Sequence, residues 1–266
     1  MIRALWTAAT GMNAQQLNVD VISNNLANAN TTGYKAARAE FKDLIYDTIQ
    51  GPSNQQYVGS PVNIQVGVGV RPAATARDFS EGNLQQTNNP FDLAIDGKGF
   101  FVVQGLNGQR LYTRDGSFKL SVSGDQAMLV TSEGYPVLDD TGNPITFDST
   151  QKEISISRTG EISAKDDMGN VQDLGIRLAV VNFINPDGLQ AQGDNLYAET
   201  VSSGQPIYDD PTNPQNQVLQ GFLETSNIKV VQEMVNLITA QRVYEINSKS
   251  IQAADEMMNT ANNLRR

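Results

Sequence analysis

Residues 237–261 read LITAQRVYEINSKSIQAADEMMNTA. Within that stretch Leu237, Ala240, Tyr244, Asn247, Ile251, Ala254, Met258 and Ala261 follow one another in alternating steps of three and four, the spacing that lines one side of a helix with a heptad seam. Asn247 is the only clearly polar member. The opposite end of the chain repeats the device, with Ile2, Leu5, Ala9, Met12, Gln16, Val19, Ser23 and Leu26 at the same steps. Ser226 or Asn227 is the expected N-cap of the second helix, and Asn30 to Gly33 supply the stop for the first.

Both helices carry more apolar residues than one seam needs. Trp6, Leu17, Val21 and Ile22 lie off the first seam, and Val243, Ile246 and Met257 lie off the second. A single partner helix cannot cover two faces, and burying a large aliphatic or aromatic side chain is worth about 1.5–3 kcal/mol. The surplus therefore predicts further copies of the chain around each helix, with the ends poorly ordered in a free monomer and ordered in an oligomer.

Everything between the ends reads as strand and turn. Residues 51–72 mix Gly, Pro, Ser, Asn and Gln with the valine-rich run from Ile64 to Val70, a linker feeding an extended strand. From about Ala73 the pattern is all-β. Phe100 to Val103 and Leu111 to Thr113 flank Leu106-Asn107-Gly108, a hairpin signal. Further strands are expected at 127–130, 153–156, 161–164, 176–184 and 196–199, punctuated by turn-forming runs such as 139–144, 166–170 and 185–188. This spacing suits a sandwich or a partly open barrel. A polar, Pro-containing stretch from Gly204 to Asn216 returns the chain to the second helix. The fold class is then α+β: a discontinuous coiled coil of the terminal helices (1–35 and 226–266), an extended linker/β connecting region (36–72 and 204–225) and a central all-β outer domain (73–203).

Composition narrows the chemistry. The 266 residues hold 19 Lys and Arg against 29 Asp and Glu, a net charge of -10, which disfavours nucleic acid and anionic lipid. No Cys and no His are present, so thiolate chemistry, disulfides and the commonest general base and metal ligand are all missing. The N-terminus turns polar at Asn13, too early for a cleavable secretory signal, and no apolar run approaches the roughly 20 residues of a membrane span. Gly67-Val68-Gly69 and Gly97-Lys98-Gly99 lack the third glycine and following helix of a dinucleotide site. The Asp-rich turns lack the ligand alternation of a calcium loop, and no Gly-x-Ser-x-Gly elbow occurs. No cofactor or metal is expected. Lys35, Arg38 and Lys42, interleaved with Glu40 and Asp43, read as a solvated helix face or as salt bridges between subunits. Asn24, Asn25 and Asn28 read either as caps of the first helix or as amides fixing register across subunits.

The motifs then resemble a known family. Asn24-Asn25-Leu26-Ala27-Asn28, with Thr31, Gly33, Tyr34 and Lys35, is similar to the signature of flagellar basal-body rod and hook proteins. Residues 81–87, 92–101, 111–118 and 133–137 continue the likeness, and Gly221 to Asn227, Glu233 to Val235 and Gln241 to Lys249 resemble the family's C-terminal motif. Within the family, the start from Leu5 to Met12 and the length look most like the members of the distal rod. Proximal rod and hook-type members remain the rivals. The resemblance implies type III export without signal cleavage to the periplasmic part of the basal body. It also implies assembly of copies into a hollow helical tube, with other rod and hook proteins and the surrounding rings as partners. The assembly residues would be Ile2, Leu5, Ala9, Met12, Val19, Leu26, Leu237, Ala240, Tyr244, Asn247, Ile251, Ala254 and Met258. Two other classes stay open on residues alone: a wall- or carbohydrate-binding β module on a coiled-coil stalk, and a hydrolase using paired carboxylates.

Overall fold

A computed structural model describes residues 2–50, 63–124, 126–148, 152–165, 171–210 and 214–263. The chain forms two compact units. One comprises Met1–Ala27, Ala37–Arg77 and Lys229–Arg266, the other Asn28–Ala36 and Asp78–Ile228. The α+β reading holds: two terminal helices bracket a β-rich middle.

In the helical unit, α1 (Ile2–Ala27) packs along α2 (Val230–Asn263). Small residues allow the approach. Ala240 and Ala254 are the buried positions of α2, Ala8 and Ala14 are among those of α1, and a Cβ placed on Gly11 would stand 2.9 Å from Nδ2 of Asn247. The same unit contains an antiparallel ribbon, which includes the extended strand expected over 64–70. Strand Ala37–Asp43 pairs antiparallel with Val70–Arg77, from Ala37 opposite Arg77 to Asp43 opposite Val70. The pairing continues as Tyr46–Gln50 with Ile64–Gly67. Thr10 Oγ1 accepts from the Val70 N–H (3.3 Å), tying α1 to the ribbon. The linker expected from Gly51 onward lies, up to residue 62, outside the described residues.

The β unit is built on a six-stranded antiparallel sheet. Its order is Gln190–Gly193, Leu196–Ala198, Arg110–Thr113, Phe100–Gln104, Val180–Asn182 and Ile207–Tyr208. The run Phe100 to Val103 sits mid-sheet, and because side chains alternate, it feeds two cores at once. Phe101 and Val103 join Leu93, Ile95, Leu129, Ile145 and Ile162 on one side. Phe100 and Val102 join Tyr112, Val181, Phe183 and Tyr197 on the other, where Phe79, Phe100, Phe183, Tyr112 and Tyr197 meet edge to face. Two three-stranded sheets cover the first core: Thr146–Asp148, Gln126–Val130 and Lys119–Ser123, and Lys152–Ile156, Glu161–Lys165 and Val171–Arg177.

Several expected elements shift. The strand expected over 176–184 is two, Val171–Arg177 and Val180–Asn182, in different sheets. Gln190–Gly193 was not anticipated; it forms a hairpin with Leu196–Ala198 through Asp194 and Asn195, whose φ angles of 51° and 57° give a two-residue turn. The linker/β segment expected from Gly204 to Thr225 is strand in part. Gln217–Gln220 lies on Leu93–Asp96, and Phe222–Glu224 lies on Leu84–Gln86. Helix α2 begins at Val230, beyond both expected caps: Ser226 Oγ accepts from the Ile228 N–H (3.3 Å), and Asn227 is engaged with Ala36 and Asp78.

Candidate assembly site

On α2 the covered positions follow the expected seam. Ala240 and Ala254 are buried, Leu237, Asn247, Ile251 and Met258 are half-buried, and Tyr244 is at the exposed margin. On α1 the most deeply buried line runs through Ala8, Ala14, Ile22 and Asn25, so the expected seam lies on its flank. Leu5, Ala9, Met12, Val19 and Leu26 are half-buried, and the side chain of Ile2 lies outside the description. Of the off-seam residues expected to be surplus, Ile22 is buried and Leu17, Val21 and Val243 are half-buried. The others remain open, with Trp6 67% exposed and Ile246 and Met257 more than half exposed. The first turns of α2 add a patch that periodicity alone did not single out: Val231 (77% exposed), Met234, Val235 and Ile238. Positions 231, 234, 235 and 238 share one helix face by their spacing.

The motif residues lie at the end of α1 and in the segment that follows it. Asn24 and Ala27 are exposed at the end of α1, and Asn28 and Thr31 are half-buried and linked through their side chains (3.2 Å). Asn25 neither caps α1 nor faces solvent. Its amide donates to the Ala37 carbonyl (2.8 Å) and accepts from the Ala37 N–H (2.9 Å), clipping the helix end to the first ribbon strand.

Within the β unit, residues 28–36 and 222–228 form two straps that meet. Gly33 has φ +65°, and a Cβ there would lie 2.6 Å from the Asp115 nitrogen, so only glycine lets the strap pass. Its N–H donates to the Glu224 carbonyl (2.8 Å). Thr32 Oγ1 bonds Asp115 (3.0 Å), and the Ala36 N–H donates to Asn227 Oδ1 (2.9 Å). Asn227 also donates to the Asp78 carbonyl (2.7 Å), which explains why it does not cap α2.

At the centre stands Lys35, which the sequence placed on a solvated face or in a contact between subunits. It is instead 0% exposed. Its Nζ donates to Glu224 Oε1 (2.6 Å) and to the Ser80 carbonyl (2.7 Å), and the Gly82 N–H donates to the same Oε1 (2.8 Å). Arg114 faces the other carboxylate oxygen at 3.4 Å, donates to the carbonyls of Ile95 and Gly97, and lies 5.5 Å from the Phe100 ring centre. Arg38 and Lys42 are exposed on the ribbon strand, so the basic cluster is not one group.

Burial lowers the pKa of Lys35, aided by the Arg114 charge and opposed by Glu224. Burial likewise pulls Arg114 down against Glu224 and Glu81, and burial together with Asp96 and Glu224 pushes Glu81 up. Outside the clasp, burial raises the Tyr112 phenol, helped by its hydrogen bond to Glu199 (3.0 Å). Among the described residues no cluster of three or more Asp or Glu is arranged to hold a metal. The three charged groups Lys35, Glu224 and Arg114 are directed at one another.

Three family profiles match consecutive parts of the chain. "Flagella basal body rod protein" matches residues 5–35, "Flagellar hook protein FlgE/F/G D1 domain" matches 94–164, and "Flagellar basal body rod FlgEFG protein C-terminal" matches 219–264. Among curated relatives, the flagellar basal-body rod protein FlgG of Borreliella burgdorferi is 48% identical, with 100% of each chain covered. The protein of that name from Buchnera aphidicola is 44% identical over 97% of this chain and 98% of its own. That of Agrobacterium fabrum is 44% identical over 96% and 97%. The outer two profiles span the straps, so Lys35 and Glu224 both fall within matched segments.

Proposed function

The chain belongs to the flagellar basal-body rod protein family, and we propose that it forms the distal rod by polymerising through its terminal helices into a hollow helical tube. It is a structural subunit of the flagellum and not an enzyme. The observation that carries the polymerisation reading is the apolar surface left open on the helical unit: Trp6, Val231, Met234, Val235, Ile238, Ile246 and Met257. Side chains of this size scattered singly on a surface need no explanation, but a helix face at 231, 234, 235 and 238 gains burial only from another molecule. Closed contacts between two copies would end at a dimer, whereas head-to-tail contacts around an axis generate a tube.

In this reading the half-buried residues of both helices, Leu5, Ala9, Met12, Val19 and Leu26 with Leu237, Asn247, Ile251 and Met258, together with the exposed Tyr244, complete their burial as coiled-coil contacts against neighbouring copies. Ala240 and Ala254 set the helix spacing. The β unit forms the outer wall, torque passes through the dense contacts between copies, and exported subunits pass through the bore. Other rod and hook proteins continue the tube at its ends, and the basal-body rings surround it in the periplasm. Export proceeds through the flagellar type III apparatus. No helix of the described residues is long and apolar enough to cross a membrane.

Electron microscopy of the concentrated purified protein tests this directly, with tubes expected. A chain beginning at Asn28 keeps both straps and should stay soluble with its β unit folded, yet form no tube. Tubes assembled from that truncated chain would refute the role of α1.

A further inference from the structure

The chain crosses between its two units four times, at 27/28, 36/37, 77/78 and 228/229. On the β-unit side, residues beside three of these crossings are bonded to one another. The Asp78 N–H donates to the Ala36 carbonyl (2.8 Å), the Ala36 N–H to Asn227 Oδ1 (2.9 Å), and Asn227 Nδ2 to the Asp78 carbonyl (2.7 Å). A few residues away in each strap lies one half of the buried ion pair, Lys35 and Glu224, whose side chains are 1% exposed. We propose that the Lys35–Glu224–Arg114 cluster is a two-ended latch, which seats the N-terminal strap and the C-terminal strap on the β unit together or not at all.

The reason is electrostatic. Were the N-terminal strap to seat alone, Lys35 would enter a buried site already holding Arg114, with no carboxylate from Glu224 to compensate two like charges. Were the C-terminal strap to seat alone, Glu224 would keep Arg114 at 3.4 Å but lose its shorter bond to Lys35, while the Asp78 N–H would lose the Ala36 carbonyl. Each half-seated form leaves buried polar groups unmatched, so the fully seated and fully released forms are favoured over both. The straps run directly into α1, which ends at Ala27, and α2, which starts at Val230. The latch goes beyond polymerisation and is tested on the unassembled full chain, so its failure leaves the tube reading standing, and the reverse.

Native-state hydrogen exchange in low urea supplies the test. The Thr225 N–H, bonded to Asn83 (2.9 Å), opens only when the C-terminal strap lifts, whereas the Gly33 N–H opens when either strap lifts. Gly33 and Thr225 should show one opening free energy and one urea dependence. Exchange of Gly33 while Thr225 stays protected would overturn the proposal. Lys35→Met should speed exchange at Thr225, which Lys35 does not touch, by about tenfold or more. Because that variant can fail to fold, Thr32→Ala provides a milder test: its hydroxyl contacts Asp115 in the N-terminal strap alone, yet exchange should accelerate equally at Gly33 and Thr225. Acceleration confined to Gly33 would again count against the latch.

Discussion

The two units of this chain solve burial in opposite ways. In the β unit Phe100, Phe101, Val103 and Ile162 are fully enclosed, and even Lys35, Arg114 and Glu224 are out of solvent with partners on hand. In the helical unit the buried positions are mostly alanines, a glycine lies against Asn247, and several large side chains, Trp6, Ile246 and Met257 among them, face outward. The first is a finished interior; the second has small residues where its helices meet and large ones where other copies would meet them. The contrast teaches that apolar content alone does not locate a core, since both units are rich in it.

The comparison breaks most sharply at Glu224. Glu224→Gln removes the carboxylate that pairs with both buried cations and should destabilise the β unit by about 3–5 kcal/mol, read as a lowered urea midpoint of the unassembled chain. A loss below about 1 kcal/mol, the range of exposed pairs, would show that the interior is less closed than its geometry implies. The helical unit should respond in the opposite sense. Val231→Ser with Met234→Ser alters exposed side chains, so the monomer's unfolding free energy, taken from its urea titration, should change by no more than about 0.5 kcal/mol. Tube formation, followed by light scattering, should nevertheless be lost. A variant that still polymerises would remove this patch from the interface.

The smallest effect is a pH dependence. Because the folded-state pKa of Lys35 is lowered from 10.5, the unfolded chain binds more protons over the interval between the two values. Stability contributed by this group should therefore rise as pH climbs toward 10.5. Glu81 works in the acidic range and with the opposite slope, since its raised pKa favours the folded state as pH falls toward 4.5. Denaturation midpoints from neutral to alkaline pH should climb in the native chain and flatten in Lys35→Met; parallel profiles would mean that Lys35 is not the titrating group.

Much of the architecture was legible because it rests on local rules. The steps of three and four from Leu237 to Met258 do mark the covered face of α2, and Asn107-Gly108 does sit in the loop joining Phe100–Gln104 to Arg110–Thr113. The same rules misplaced the buried line of α1 by about one position along the helix, a rotation of roughly 100°. Ala8, Gly11 and Ala14 carry little apolar area, so a pattern weighted by large side chains passed over the face that helix packing selects for its smallness. The extended strand near Ile64 to Val70 was legible, but its pairing was not: Gly and Pro between residues 51 and 72 signal loop, whereas pairing of Val70–Arg77 with Ala37–Asp43 depends on a strand far back in the chain.

Sequence by itself determined that two helices end the chain, that a β region lies between them, and that the helices carry apolar surface in excess. Periodicity and composition record these things, and they depend on neighbours a few residues apart. Only the tertiary structure decided that Lys35 is an interior residue. Its carboxylate partner lies 189 positions away, and a lysine followed by exposed Arg38 and Lys42 has the local pattern of a solvated one. Whether a charge is buried depends on what the fold brings to it, and the energy that makes the burial tolerable comes from Glu224, Ser80 and Gly82, none of them its neighbours along the chain.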